Sequence, residues 1–141
     1  FFTGKSRSSA AIIKEQSSNI TSGSDKSLEA THQLKRDAYA MKEAVLKGNI
    51  GDFTDILNRS WIAKRQTAGS VFNPMIEGIF DITTKTGVLG GKVSGAGGGG
   101  FIMFVVEPEQ RAKVLAALGG CDGLAMPCHF TPRGMEGWRI L

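Results

Sequence analysis

No stretch of this sequence approaches the roughly 20 consecutive apolar residues that a membrane-spanning helix needs. The longest apolar run, residues 101–106, has the length of a strand. Cysteine is scarce. Cys121 and Cys128 stand without CxxC spacing and without supporting histidines, so they make neither a zinc site nor a disulfide framework. Two incidental thiols fit a reduced, cytoplasmic protein. Charge of one sign is gathered nowhere: the net charge is +4, with Lys and Arg interleaved among Asp and Glu along most of the chain. A nucleic-acid binder gathers its basic residues on one face. This balance suits anionic small molecules better than DNA, RNA or a membrane. No basic segment followed by an apolar core opens the chain, so no signal peptide is read. Phe1 and Phe2 look like a strand entered partway through, and the expectation is a domain cut from a larger protein.

What is present is one domain's worth of chain, 141 residues with 41% hydrophobic and 21% charged content. That composition excludes a disordered tail. Glycine is the departure from average, with 19 residues. They are not periodic, which excludes collagen, and they crowd into residues 95–100.

Residues 3–9 (Thr3, Gly4, Lys5, Ser6, Arg7, Ser8, Ser9) form a small, basic turn, and a short helical pattern follows to about Ser18. Residues 17–24 read as a loop by composition. The clearest helix starts at a Ser24 or Asp25 cap. It carries Leu28, Leu34, Ala38, Met41 and Val45 at helical spacing and stops at Gly48. A second helix is expected from an Asp52 cap to about Arg65, with Phe53, Ile56, Leu57 and Trp61 on one face. Asn73-Pro74 opens a third, since proline suits the first helical position. Its apolar face is Met75, Ile76, Ile79, Phe80 and Ile82, and Gly87 ends it. Val88 to Val93 and residues 101–106 read as strands around the glycine run. Pro108 opens another helix, stopped by Gly119-Gly120. Ala125 to Thr131 and Trp138 to Leu141 are expected as two further strands. Segregated helices and strands imply an α+β fold with an antiparallel sheet.

Lys92, Val93, Ser94, Gly95, Ala96, Gly97, Gly98, Gly99 and Gly100 carry the chemical signal. Glycines reach positive φ and let backbone approach another surface. Successive N–H groups in such a loop form a concave anion site. Read alone, the alternative is a flexible linker or a loose turn between two strands. Lys92 and Ser94 beside it, and the hydrophobic strand directly after it, favour a phosphate-facing loop. It is not a Walker A loop, lacking G-x-x-x-x-G-K-[ST]. Nor is it a Rossmann turn, because a strand and not a helix follows.

The segment from Lys92 to Gly100 and the strand after it closely resembles the third motif of the GHMP kinases (galactokinase, homoserine kinase, mevalonate kinase, phosphomevalonate kinase). The turn from Thr3 to Ser9 with Gln16 after it, and Ser60-Trp61 with Lys64, resemble the heptose phosphate kinases of that superfamily. The resemblance spans essentially the whole chain, as the C-terminal half of such a kinase. It implies a ferredoxin-like α+β domain, with a four-stranded antiparallel sheet and helices packed on one side. It implies a sugar kinase that uses ATP and Mg²⁺, partnered by its own N-terminal kinase domain and a phosphorylated sugar. It places one wall of the phosphate site on Lys92, Ser94, Gly95, Ala96, Gly97, Gly98, Gly99 and Gly100. Lys5, Arg7, Ser8 and Ser9 would face the phosphate already on the sugar, although the same residues also make an ordinary solvated turn. The family's main phosphate loop and acidic catalytic residue belong to the N-terminal half. No P-x-x-x-G-L-S-S-S-A-like segment occurs here, so no catalytic residue and no metal site are assigned to this chain.

Other candidates are weaker. Trp61, with Lys64 and Arg65, can stack on a sugar, but its spacing with Phe53 and Leu57 is that of a core residue. His32 is a surface helix residue. His129 beside Cys128 has no acidic partner for a metal, and Cys121 has no identifiable base. Valine at Gly97 or Gly98 is expected to spoil a phosphate site while the fold survives. A non-catalytic module binding a small anion or a partner protein is the alternative function.

Overall fold

The computed structural model describes residues 1–4 and 8–137. Local signals set most element boundaries. Helix α1, Ser9–Thr21, begins where the Ser8 hydroxyl accepts from the Ala11 N–H. Helix α2, Asp25–Lys47, is capped by Ser24 and closed by Gly48 at φ 64°, a left-handed conformation that glycine adopts without strain. Helix α3, Ile50–Thr67, starts at Asn49 rather than at Asp52. The Asn49 Oδ1 accepts from the Asp52 N–H at 3.1 Å while its Nδ2 donates to the Asp52 carboxylate at 2.7 Å. Asp52 is therefore a first-turn acid, favourable near the helix N-terminus. Helix α4, Pro74–Thr86, has the expected Asn73 cap and Pro74 start, and Gly87 ends it. Strands β1, Val88–Val93, and β2, Ile102–Val106, follow, and a 3₁₀ turn leads into α5, Arg111–Leu118.

The two strands pair antiparallel, with Val93 opposite Ile102 and Val88 opposite Val106, and the glycine run connects them. Among the described residues the expected four-stranded sheet is not formed. Two strands make the ladder, and single bridges extend it: Phe2 faces both Phe101 and Leu124. Ala125 to Thr131 has no regular structure. The strand expected at Trp138 to Leu141 lies outside the described residues.

One reason the sheet stays narrow is visible at the outer edge of β1. The Asn58 side chain of α3 donates to the Leu89 carbonyl at 2.9 Å and accepts from the Gly91 N–H at 3.1 Å. A side-chain amide thus takes the place of a neighbouring strand and satisfies an edge that otherwise recruits one. The helix comes this close because residue 90 is glycine: a Cβ there would lie 3.0 Å from the Thr54 carbonyl oxygen.

The sheet separates two environments. Val93 and Ile102 join Ile76 and Ile79 of α4 and Val114 and Leu118 of α5 in the main core. On this side Trp61 stacks on Phe80 and Phe80 meets Phe104 edge-on, with ring centroids 5.5 Å apart at each step. Burying each such aliphatic side chain contributes roughly 1.5–3 kcal/mol. On the other face Lys92 and Met103 meet Leu34 of α2 across an open cleft. The α2 face buried against α3 is not the expected apolar stripe. It consists of Ser27, Ala30, Asp37 and Ala44, while Leu28 and Val45 are exposed. The apolar stripe instead lines a groove of about 440 Å³ that includes Met41, Phe53 and Met103. Ile82, expected on the buried face of α4, is exposed as well. Among the described residues no helix is long and apolar enough to cross a membrane.

Candidate phosphate-binding cleft

The glycine run leaves β1 through Ser94, whose N–H donates to the Phe101 carbonyl at 2.8 Å and closes the hairpin base. Gly95, Gly97, Gly99 and Gly100 all have positive φ, from 71° to 141°. Residues with a Cβ enter this region only with strain. The far end of the loop is tied to the N-terminal segment. The Thr3 N–H donates to the Gly100 carbonyl at 2.8 Å, and the Gly100 N–H donates back to Thr3 Oγ1 at 3.1 Å. The residues of the run are not equivalent. Gly95 is exposed, with nothing within 4 Å of a notional Cβ, so its backbone faces open space. Gly97 and Gly98 are buried, and a Cβ on Gly97 would sit 3.1 Å from Val71 Cγ1. The loop therefore rests on the core at 97 and opens to solvent at 95.

A cleft of about 330 Å³ lies beside the open part, lined by Lys64, Lys92, Ser94 and Gly95 with the apolar Leu34 and Met103. Lys92 comes from β1 and Lys64 from the last turns of α3. Both are half-buried, and burial is the main reason both ammonium groups fall below their ordinary pKa. For Lys64 the neighbouring Lys92 charge acts in the same direction; for Lys92 the Asp37 carboxylate opposes the shift. Asp37 itself is 1% exposed. Its Oδ1 accepts from Arg59 Nε at 2.8 Å, from Arg59 Nη2 at 2.7 Å and from Gln33 Nε2 at 2.8 Å, and its Oδ2 has no hydrogen-bond partner. The cleft thus holds two cations, a hydroxyl and glycine backbone, with a buried carboxylate behind them. That donor set fits phosphate oxygens. No carboxylate lines the cleft, and the described residues contain no cluster of His, Cys, Asp or Glu able to hold a metal ion.

Of the residues expected at a phosphate site, Lys92, Ser94 and Gly95 line the open cleft, while burial within the glycine run is unequal. Ala96 packs against the core, so it supports the loop and does not line the cleft. Lys5 and Arg7 lie outside the described residues. Ser8 serves as the α1 cap, and Ser9 is an exposed first-turn residue. Trp61 is 5% exposed and stacked on Phe80, so it is a core residue and not a platform for a sugar. Its neighbour one turn on, Lys64, is the residue that reaches the cleft. His32 and Cys128 are exposed, while Cys121 is partly buried near the Ala117 carbonyl. Glu15 and Asp37 carried no sequence signal, because their partners lie far away in the chain.

Residues 41–121 match the family model described as GHMP kinases C terminal. The chain is 36% identical over 140 residues to D-glycero-alpha-D-manno-heptose 7-phosphate kinase of Campylobacter jejuni, covering 99% of this chain and 41% of that protein. It thus spans about two fifths of that relative's length. Among solved structures, mevalonate kinase from L. major in complex with R-mevalonate superposes with a TM-score of 0.74 at 22% identity, over 85% of this chain and 37% of that one. That likeness shows the fold. A D-glycero-D-manno-heptose 1-phosphate kinase from Bacteroides thetaiotaomicron matches at 40% identity and TM-score 0.53, over 71% of this chain and 28% of that one. With the family's glycine motif on an antiparallel hairpin and the family model matched from the end of α2 through α5, the chain belongs to the GHMP kinases as a C-terminal domain of that family.

Proposed function

We propose that this chain is the C-terminal half of an ATP-dependent sugar kinase whose acceptor is a heptose phosphate of the D-glycero-D-manno-heptose 7-phosphate type. The observation that carries this reading is the cleft where the open end of the glycine run meets two half-buried lysines. Similarity to two kinases named for heptose phosphates supports the acceptor class. In phosphoryl transfer the protein mainly positions groups and neutralises developing charge. ATP supplies the transferred phosphoryl group, with Mg²⁺. The Lys92 and Lys64 ammonium groups donate to phosphate oxygens. The Ser94 hydroxyl and the Gly95 backbone orient those oxygens, and the Gly97 contact with Val71 holds the loop in place. An N-terminal kinase domain packed on this one brings the main nucleotide loop, the catalytic acid and the metal-holding groups. The setting is cytoplasmic.

The test is a coupled ADP-release assay on the natural gene product containing these residues, with ATP, Mg²⁺ and heptose 7-phosphate. Expected turnover is on the order of 1–100 s⁻¹. A cooperatively folded protein that releases no ADP in response to any heptose phosphate would overturn the reading in favour of a small-anion binding module.

A further inference from the structure

We propose that the groove of about 440 Å³ between α2, α3 and the sheet reads the hydroxyl groups of the sugar acceptor, through Asp37 and Ser60. This deepens the functional reading and rests on it for the identity of the ligand. The walls of the groove are mainly apolar, with Leu34, Phe53, Leu57 and Met103 among them. Three polar side chains interrupt these walls: Asp37 of α2, Ser60 of α3 and Lys92 of β1. A few polar groups converging in an apolar hollow are the usual make-up of a small-molecule site.

Asp37 and Ser60 are buried, at 1% and 7% exposed, and both are left with hydrogen-bonding capacity. Arg59 and Gln33 hold Asp37 by Oδ1 alone, and Oδ2 has no partner. Oδ2 is therefore the oxygen left to meet a group in the groove. The Ser60 hydroxyl makes no hydrogen bond with any described residue. Hydroxyls inside helices commonly donate to the carbonyl one turn back. Thr21, Thr31, Thr83 and Thr86 all do so here, and Ser60 does not. A buried carboxylate oxygen and a buried hydroxyl, both unpartnered on the walls of one groove, are a combination that folded proteins rarely leave unsatisfied.

The ligand class follows from that pairing. A sugar brings O–H groups that donate to Asp37 Oδ2 and exchange a hydrogen bond with Ser60, and C–H faces that pack on leucine and methionine. An aliphatic chain leaves both polar groups unmatched, and an anion is repelled by Asp37. Leu34, Lys92 and Met103 line both this groove and the phosphate cleft, so the two hollows adjoin. A sugar phosphate with its phosphate at Lys92 carries its hydroxyl-bearing carbons into the groove. The role given to Asp37 and Ser60 is binding, not proton transfer. A ribose has the same chemistry, and the kinetics below separate it from the acceptor.

The experiment uses the natural gene product, with calorimetric titration and steady-state kinetics. The probes are heptose 7-phosphate, its single-deoxy analogues and inorganic phosphate. Ser60→Ala is expected to raise the Kd for heptose 7-phosphate about three- to tenfold, and Asp37→Asn about tenfold or more, because that acceptor is charged. The Kd for inorganic phosphate is expected to stay unchanged in both. In kinetics, KM for the heptose phosphate should rise while kcat and KM for ATP hold, the pattern of a contact made equally in ground and transition states. One deoxy analogue should bind wild type as weakly as the parent sugar binds Ser60→Ala, and lose nothing further in that variant. Folded Ser60→Ala and Asp37→Asn proteins with unchanged sugar phosphate binding overturn the inference and leave the kinase reading standing. So does an equal loss for inorganic phosphate, or a rise in KM for ATP alone, which would give the groove to the nucleotide. Weakened sugar phosphate binding in a protein without turnover supports the groove and removes the kinase reading. A wild-type protein that binds no heptose phosphate overturns both. If Asp37→Asn does not fold, Ser60→Ala decides with the deoxy series: additive losses for every analogue overturn the proposal.

Discussion

Gly95 and Gly97 look alike in the sequence and differ in what a substitution meets. Both have positive φ, at 71° and 100°. An alanine at 95 meets nothing within 4 Å, so its cost is the left-handed backbone alone, about 1–2 kcal/mol. Valine at 97 adds a Val71 clash at 3.1 Å and a branched Cβ in buried space. Overpacking adds about 1–3 kcal/mol to the backbone strain. Gly97→Val is therefore expected to cost the fold more stability than a surface loop substitution would. Gly95→Ala is the variant that separates activity from stability. It is expected to lower Tm by about 4–8 °C per kcal/mol lost or somewhat less. It should also cut kcat/KM in the natural enzyme by about 10²-fold, because small misplacements of reacting groups have such effects. Differential scanning calorimetry and steady-state kinetics on the same variant check both. Gly97→Val is expected to show a larger loss of Tm; equal Tm losses in the two would contradict the burial difference. The presence of the loop was legible because glycine with Lys and Ser is a local pattern. Which glycines face the core was not, because Val71 and Lys64 lie outside that pattern.

Among the elements, helix ends were the most readable parts of the sequence. Ser24, Gly48, Asn73-Pro74 and Gly87 act through neighbours within four residues. The Asn49–Asp52 exchange went unread because two capping side chains sit three residues apart and the upstream one takes the N–H. The buried face of α2 was unreadable for a different reason. Asp37 is buried by its long-range pairing with Arg59, and small residues admit α3, so hydrophobicity points to the wrong stripe. Glu15 is a similar case. Its carboxylate accepts from the Gly69 N–H at 2.8 Å and the Ser70 N–H at 3.2 Å, strapping α1 to the 3₁₀ turn that carries Val71. A hydrogen bond with the Ser70 side chain is the main cause holding its pKa below the ordinary carboxylate value; burial opposes it, and the two backbone bonds add to the lowering. A depressed folded pKa means the stabilisation is present above the unfolded value of about 4.5 and is lost as pH falls through the folded one. Glu15→Gln is accordingly expected to lower Tm by a few degrees near pH 7, with the gap to wild type closing on acidification. A Tm difference that stays constant from pH 7 to pH 3 would contradict this role.

At the scale of the whole molecule, α+β class and antiparallel pairing were legible, and strand number was not. A strand depends on the edge it joins. The Asn58 amide closes the outer edge of β1, and Phe1 exchanges hydrogen bonds with Ile102 on the far side of β2. Alternation in residues 125–131 therefore found no partner within the described residues beyond the single bridge at Leu124. The core is nonetheless the domain's own, drawn from the N-terminal segment, α1, α3, α4, α5 and both strands. The 141 residues are thus expected to fold cooperatively and to hold phosphate. They are not expected to catalyse transfer on the proposed reading, because the cleft supplies cations and backbone but no carboxylate to receive the acceptor proton. These properties separate in one preparation. Circular dichroism melting should give a single sigmoidal transition. Phosphate should raise its midpoint by mass action, since a ligand that binds only the folded state stabilises it. A coupled assay with ATP, Mg²⁺ and heptose phosphate should show no ADP release. Turnover on the order of 1 s⁻¹ by this chain alone would place the phosphoryl-transfer machinery within these residues and overturn the division of labour between the two halves. A midpoint indifferent to phosphate, in a chain that melts cooperatively, would instead remove the cleft as the place where this domain meets its anion.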